Sequence, residues 1–147
     1  MAPLSDYNKA GYKAKTVAAE ADQIFSDLNL SLPIHPNKND IIPLTDIDAV
    51  KQAVKNIILT NFGEKLFRPQ FGSRVAGRLF EGGGPFVALA IRDDIKYALR
   101  DFEKRVEIID VNVNDRSDSN EFIVTLQFRI AHQPNISEVE FALNRLR

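Results

Sequence analysis

Apolar residues recur at helical spacing from Thr45 onward. Ile47, Val50, Val54, Ile57 and Ile58 fall on one side of a helix, and Asp48, Lys51, Gln52 and Lys55 on the other. Thr45 and Asp48 have the spacing of a capping box, in which a hydroxyl and a carboxylate satisfy the free amides of the first turn. Gly63 offers the left-handed backbone that often closes a helix. The stretch Gly63–Gly72 then sets two phenylalanines among Gly and Pro. Pro69 restricts itself and Arg68, Gly72 permits a tight turn, and Phe67 and Phe71 give the segment apolar groups to bury. The pattern predicts a rigid bend, followed by a second short helix that reaches toward Glu81.

Upstream, Ile24–Pro43 is broken by Pro33, Pro36 and Pro43, and Leu28, Leu30 and Leu32 alternate with Asn29 and Ser31. This predicts a short extended stretch lying on the core. Downstream, Gly82-Gly83-Gly84-Pro85 breaks the chain as a flexible hinge. A second helix follows with Val87, Ile91, Ile95, Ala98, Leu99 and Phe102 as its apolar stripe, while Arg92, Asp93, Lys96, Arg100 and Asp101 hold its wet side. The period then changes to alternation. Ile109, Val111 and Val113 face one way and Asp110, Asn112 and Asn114 the other, with a turn at Arg116–Asn120. Phe122, Val124, Leu126, Phe128 and Ile130 return along the second strand of a hairpin. After Pro134 the periodicity is ambiguous: Ile136, Val139, Leu143 and Leu146 fit a helix, whereas Val139, Phe141 and Leu143 fit a strand.

Composition narrows the classes. At 147 residues the chain suits one domain with a single core, and its 44% hydrophobic content is that of a folded protein. The net charge of -1 disfavours nucleic-acid binding through a broadly basic surface. The absence of cysteine excludes disulfides, thiolate metal sites and cysteine nucleophiles. His35, beside prolines, and His132 are too isolated to suggest a metal site, and no cofactor motif is present: three glycines precede a helix, but no Gly-Lys-Ser/Thr follows them. The first residues lack the apolar core of a signal peptide, and no apolar run is long enough to span a membrane. No nucleic-acid or membrane partner is expected. Residues 1–23 are read as an extension or docking arm, and residues 24–147 as the domain.

Several features share one order along the chain. They are Phe25-Ser26-Asp27-Leu28, the helix Asp46–Thr60 leading to Gly63-Glu64, Phe67-Arg68-Pro69, Phe71-Gly72-Ser73, Leu79-Phe80-Glu81 and Phe102-Glu103-Lys104-Arg105-Val106. In this the sequence resembles the gene-25-like baseplate wedge proteins of contractile phage tails, whose relatives include the baseplate subunit TssE of type VI secretion systems. The resemblance covers roughly Ile24 to the C-terminus. It implies a virion tail baseplate location after assembly in the host cytoplasm, and a closing strand at the C-terminus. The expected fold is α+β: two main helices and a short one packed on a small, mostly antiparallel sheet formed by the C-terminal hairpin and that closing strand.

The resemblance also implies partners. The family has a Glu-Pro-Arg triplet after its long helix, implicated in gripping the helical core bundle of neighbouring wedge subunits. Glu103 and Arg105 match it, and Lys104 replaces the proline, which restores an amide donor and frees a backbone angle. The plain alternative is an exposed ion pair at a helix end. The sheet is similar to the region of tail sheath subunits on which the first sheath ring is laid. Phe122, Val124, Leu126, Phe128 and Ile130, with the closing segment, would thus template strand addition. Gly63, Glu64, Arg68, Pro69 and Gly72 would hold the bend. Lys65, Arg68, Arg74 and Arg78 cluster near it, either as solvated surface or as a positive face for an acidic partner.

A lysozyme-like label attached to this family raises glycoside hydrolysis, which needs two carboxyl groups about 5–9.5 Å apart, one of them kept protonated. The candidates are Glu64, Glu81, Asp93, Asp94 and Glu103, with Glu64 near Phe67 and Glu81 after Phe80 the most suited to an apolar setting. No Trp is available to stack on a sugar, and no Gly-x-Ser-x-Gly elbow exists. The expectation is a structural subunit linking core bundle to sheath, without enzymatic activity. A tail-associated peptidoglycan hydrolase is the alternative.

Overall fold

The structure, a computed structural model, describes residues 25–37, 39–131 and 134–145. The expected arm over residues 1–23, together with His132 and Leu146, lies outside them. The fold is α+β. A two-residue strand β1 (Ser26–Asp27) pairs antiparallel with β2 (Leu44–Thr45), which runs directly into helix α1 (Asp46–Leu59). A short helix α2 (Val75–Arg78), the long helix α3 (Pro85–Phe102) and strands β3 (Val106–Arg116), β4 (Glu121–Ile130) and β5 (Ile136–Asn144) complete the order. The last three form an antiparallel sheet in the order β3-β4-β5.

Both expected helices form for the expected reason. Val50, Val54, Ile57 and Ile58 of α1 and Ile91, Ile95, Ala98 and Leu99 of α3 are buried in one cluster. The sheet supplies its other side, because β4 alternates strictly and Phe122, Val124, Leu126, Phe128 and Ile130 all point inward. Of the two readings of the tail, the strand is the one adopted. Phe141 and Leu143 pair with Val124 and Phe122 on the core face.

Five local expectations are corrected. The capping box does not form: Thr45 makes no side-chain cap and is engaged in pairing with Ser26. Asp46 ties the helix start to the upstream segment instead, through its amide to the Phe25 carbonyl (2.8 Å) and its carboxylate to the Phe25 amide (3.3 Å). Nor does Gly63 close α1. The helix stops at Leu59 because Thr60 is extended and turns both its amide (3.0 Å) and its hydroxyl (2.7 Å) onto the Asn56 carbonyl. Leu28, Leu30 and Leu32 do not lie on the core. They are exposed on a turn, where Gln52 holds the Leu28 carbonyl (2.7 Å) and the Leu30 amide (3.2 Å). Phe67 buries nothing, whereas Phe71 packs against Phe102 at 5.0 Å between ring centres. Finally, Ile109 faces solvent, because the β3–β4 register shifts between Ile108 and Asp110 and leaves Ile109 on the bulge.

Candidate functional site

The Glu103-Lys104-Arg105 corner is built where α3 gives way to β3. Glu103 ends the helix, its amide bonded to the Leu99 carbonyl at 2.9 Å, and only 5% of the residue is exposed. Arg105 returns onto its carboxylate as a fork: Nε to Oε1 and Nη2 to Oε2, each 2.6 Å. The guanidinium also lies 5.1 Å above the Phe25 ring. The Glu103 hydrogen bond, with the charges of Glu103 and Asp27, raises the Arg105 pKa against a smaller opposing effect of burial. This is more than an exposed end-of-helix pair. Lys104, standing where the family proline is expected, donates its ammonium to the Arg100 carbonyl at 2.7 Å and so satisfies a last-turn acceptor of α3. The Arg105 carbonyl accepts from the Ala131 amide at 2.8 Å, which fastens the corner to the end of β4.

The bend is held from inside. The Gly63 amide donates to the Pro69 carbonyl (2.8 Å), and the Glu64 carboxylate receives the Asn61 amide (2.8 Å) and side-chain Nδ2 (2.7 Å). Those donors lower the Glu64 pKa below its ordinary value. Among the described residues Arg68 bonds only through its backbone, to Lys65 and Phe71. Gly72 lies against α1: a Cβ there would sit 2.3 Å from the Thr60 oxygen, the atom that accepts the Ser73 amide. The buried Ser73 hydroxyl bonds the Ile58 carbonyl at 2.6 Å. Of the nearby cations, Lys65 lies 4.0 Å over the Phe71 ring and Arg74 lies 5.6 Å over Phe62. Arg78 bridges Asp94 and Glu81, at 3.0 Å each.

The β4 residues sit where strand addition cannot reach them. β4 is the middle strand, paired along its length with β3 and β5, and its apolar side chains fill the core. Among the described residues the unpaired edges belong to β3 and β5.

The five acidic candidates do not gather into one site, and the two that meet, Glu81 and Asp94, do so on a guanidinium. Glu81 and Asp94 share Arg78, Asp93 pairs with Arg92 at 3.1 Å, Glu64 bonds Asn61 and Glu103 bonds Arg105. Among the described residues no cluster of three or more His, Asp or Glu could hold a metal ion. One polar constellation had no signal in the sequence. Asp115, on the core face of β3, accepts from the Arg145 guanidinium and from the Gly84 amide (2.7 Å), while Arg145 lies 4.4 Å over the Phe122 ring.

Residues 45–135 match the family described as baseplate wedge protein gp25, which is more than half of the chain. The chain belongs to that family. The baseplate wedge protein gp25 of Enterobacteria phage T4 is 28% identical over 126 residues, covering 85% of this chain and 95% of the phage protein. A solved protein from Geobacter sulfurreducens, described provisionally as a tail lysozyme, superposes with a TM-score of 0.62 at 20% identity, covering 67% of this chain and 89% of its own. A chain of the type VI secretion baseplate complex gives 0.57 at 14% identity, covering 67% and 92%. At such identities the two structures speak for the fold alone. Membership of the gp25 family makes this chain a structural component of a contractile-tail baseplate, assembled with other baseplate subunits. No helix among the described residues is long and apolar enough to cross a membrane.

One expectation is withdrawn. The expected lack of enzymatic activity does not stand, because a protein of the same fold is described as a tail lysozyme and the fold does not divide baseplate part from hydrolase.

Proposed function

We propose that this chain, through the domain of residues 24–147, joins the helical core bundle of its wedge to the first ring of tail sheath. The Glu103–Arg105 corner contacts the bundle, and the sheet accepts a sheath strand by β-augmentation. Gly63, Glu64, Arg68, Pro69 and Gly72 keep the bend between them in shape. The observation that carries the reading is the open edge of β5. All nine residues of β5 pair with β4 on one side, and among the described residues no strand pairs with its other edge. The β3 edge is the poorer acceptor, because its bulge at Ile109 interrupts a regular ladder.

Hydrogen exchange on the isolated chain and on assembled tails tests this. Alternate β5 amides should exchange rapidly in the free chain and become protected in the tail, with β4 protected in both. Unchanged exchange along β5 after assembly refutes the sheath contact. A hydrolytic activity is the second reading, favoured by the description given to the Geobacter protein of this fold. Release of soluble fragments from peptidoglycan by the purified chain would establish it.

A further inference from the structure

The bend carries two large apolar side chains that the domain does not bury. Leu66 is 80% exposed and Phe67 is 100% exposed. Phe67 also has a φ of 65°, a left-handed conformation that a bulky residue adopts only against a steric penalty. That conformation is imposed from both sides. The Gly63 amide bonds the Pro69 carbonyl, Arg68 bonds back to Lys65 (3.2 Å), Phe71 bonds back to Arg68 (3.0 Å), and Lys65 rests on the Phe71 ring. The surroundings therefore hold a strained backbone in place to present a phenylalanine to solvent. Strain of this kind is kept where it serves a contact.

Charge indicates what kind of contact. The apolar pair is bracketed by Lys65 and Arg68, and neither forms an ion pair with a described carboxylate. We propose that Leu66 and Phe67 form a knob that seats in an apolar pocket rimmed by carboxylates on a neighbouring protein subunit. A protein pocket fits better than a bilayer. Lipid accepts an apolar side chain in any backbone geometry, whereas a shaped pocket gains from a side chain whose direction is fixed beforehand. Two flanking cations on a chain of net charge -1 also give little general attraction to an anionic surface. Leu66 and Phe67 belong neither to the Glu103–Arg105 corner nor to the β5 edge, although the flanking Lys65 lines the same cleft as Glu103. The knob rests on the baseplate reading only in requiring a neighbouring subunit.

The test has two arms. Wild-type chain and a tagged Phe67→Gly variant compete for incorporation into the same baseplates. Loss of one well-buried aromatic anchor should lower the variant's share at least about tenfold. Relief of the left-handed strain should leave the melting temperature of the isolated variant equal to or above that of the wild type. In the second arm, a photo-reactive phenylalanine analogue replaces Phe67 in assembled baseplates, and the cross-linked peptide is sequenced. The expected product is one peptide of another subunit that contains apolar residues and at least one Asp or Glu. Equal incorporation of the variant overturns the proposal, and so does cross-linking only to lipid or only to this chain. Failure here leaves protection of the β5 edge untouched, so the two readings fall separately.

Discussion

Removing the Arg105 side chain asks whether the fork at the end of α3 exists in solution. Glu103 is almost fully enclosed, and its carboxylate takes two guanidinium hydrogen bonds of 2.6 Å. Breaking a deeply buried ion pair by deleting one partner costs about 3–5 kcal/mol. Here the Arg105 side chain is 38% exposed, so water reaches part of the vacated space and the cost falls toward about 2 kcal/mol, the scale of one charged hydrogen bond. Glu103→Gln paired with Arg105→Ala should cost less than the sum of the two single changes, with a coupling of about 1–2 kcal/mol. Urea unfolding of the four chains measures this directly. A cost for Arg105→Ala below about 0.5 kcal/mol, or a coupling of zero, refutes the fork. The same geometry decides how the bundle contact should be probed. Charge reversal at Arg105 would set two carboxylates side by side around a buried site and unfold the corner, so lost assembly would not report a partner. Arg105→Lys keeps the charge and removes only the fork, and its incorporation into wedges reads the contact.

Three further outcomes are expected. Gly72→Ala drives a Cβ into the Thr60 carbonyl at φ 117°, whereas Gly63→Ala meets no atom within 4 Å at φ 87°. The first should cost about 3 kcal/mol or more and the second about 1 kcal/mol in urea unfolding, and equal costs would contradict the packing at Thr60. The Glu64 pKa is lowered in the fold, so its contribution is present above the ordinary value of 4.5 and is lost as pH falls through the folded pKa. Wild type should therefore lose stability over that acid range faster than Glu64→Gln, and parallel profiles would remove the Asn61 bonds as the cause. Arg145→Ala removes the guanidinium from the largely buried Asp115, which keeps the Gly84 amide, and should speed amide exchange at the Leu143 end of β5 while leaving its Ile136 end unchanged.

What the sequence showed plainly was whatever periodicity controls. The stripes of α1 and α3 and the alternation of β4 depend on one residue's neighbours along its own element, so they could be read without a partner. The failures fall where a second segment decides. Thr45 has the chemistry of a helix cap, but pairing with Ser26 across the small sheet takes it up. Ile109 has the right parity for the core until a bulge, which only β4 can register, turns it outward. Strand order is likewise invisible in a hairpin pattern, so the alternation of β4 does not reveal that β3 and β5 pair with both of its sides and leave, of the segments expected to template strand addition, only the closing strand at an edge. For the site, the pairing of Glu103 with Arg105 was legible as a matched motif, while its burial was not, because that depends on Phe25 and the packing around the end of α3. The Asp115–Arg145 contact joins residues thirty positions apart and leaves no local trace.

An edge proposed to accept a sheath strand must also refuse strands that do not belong, a second copy of this chain included. On β5 the outward face carries Glu138 and Glu140, and only Glu138 has a described side-chain partner, Gln127 at 3.0 Å. Another β5 laid against this edge would bring like charges into neighbouring positions, which disfavours self-pairing. A strand with Lys or Arg opposite those positions would be drawn in instead. Because the other edge is broken by its bulge and the central strand is paired on both sides, the sheet formed by the described residues has one regular edge to offer, and its charge makes that edge selective. A single directed acceptor suits a subunit that adds one neighbour at a fixed place. Two equivalent edges would let sheets grow end to end.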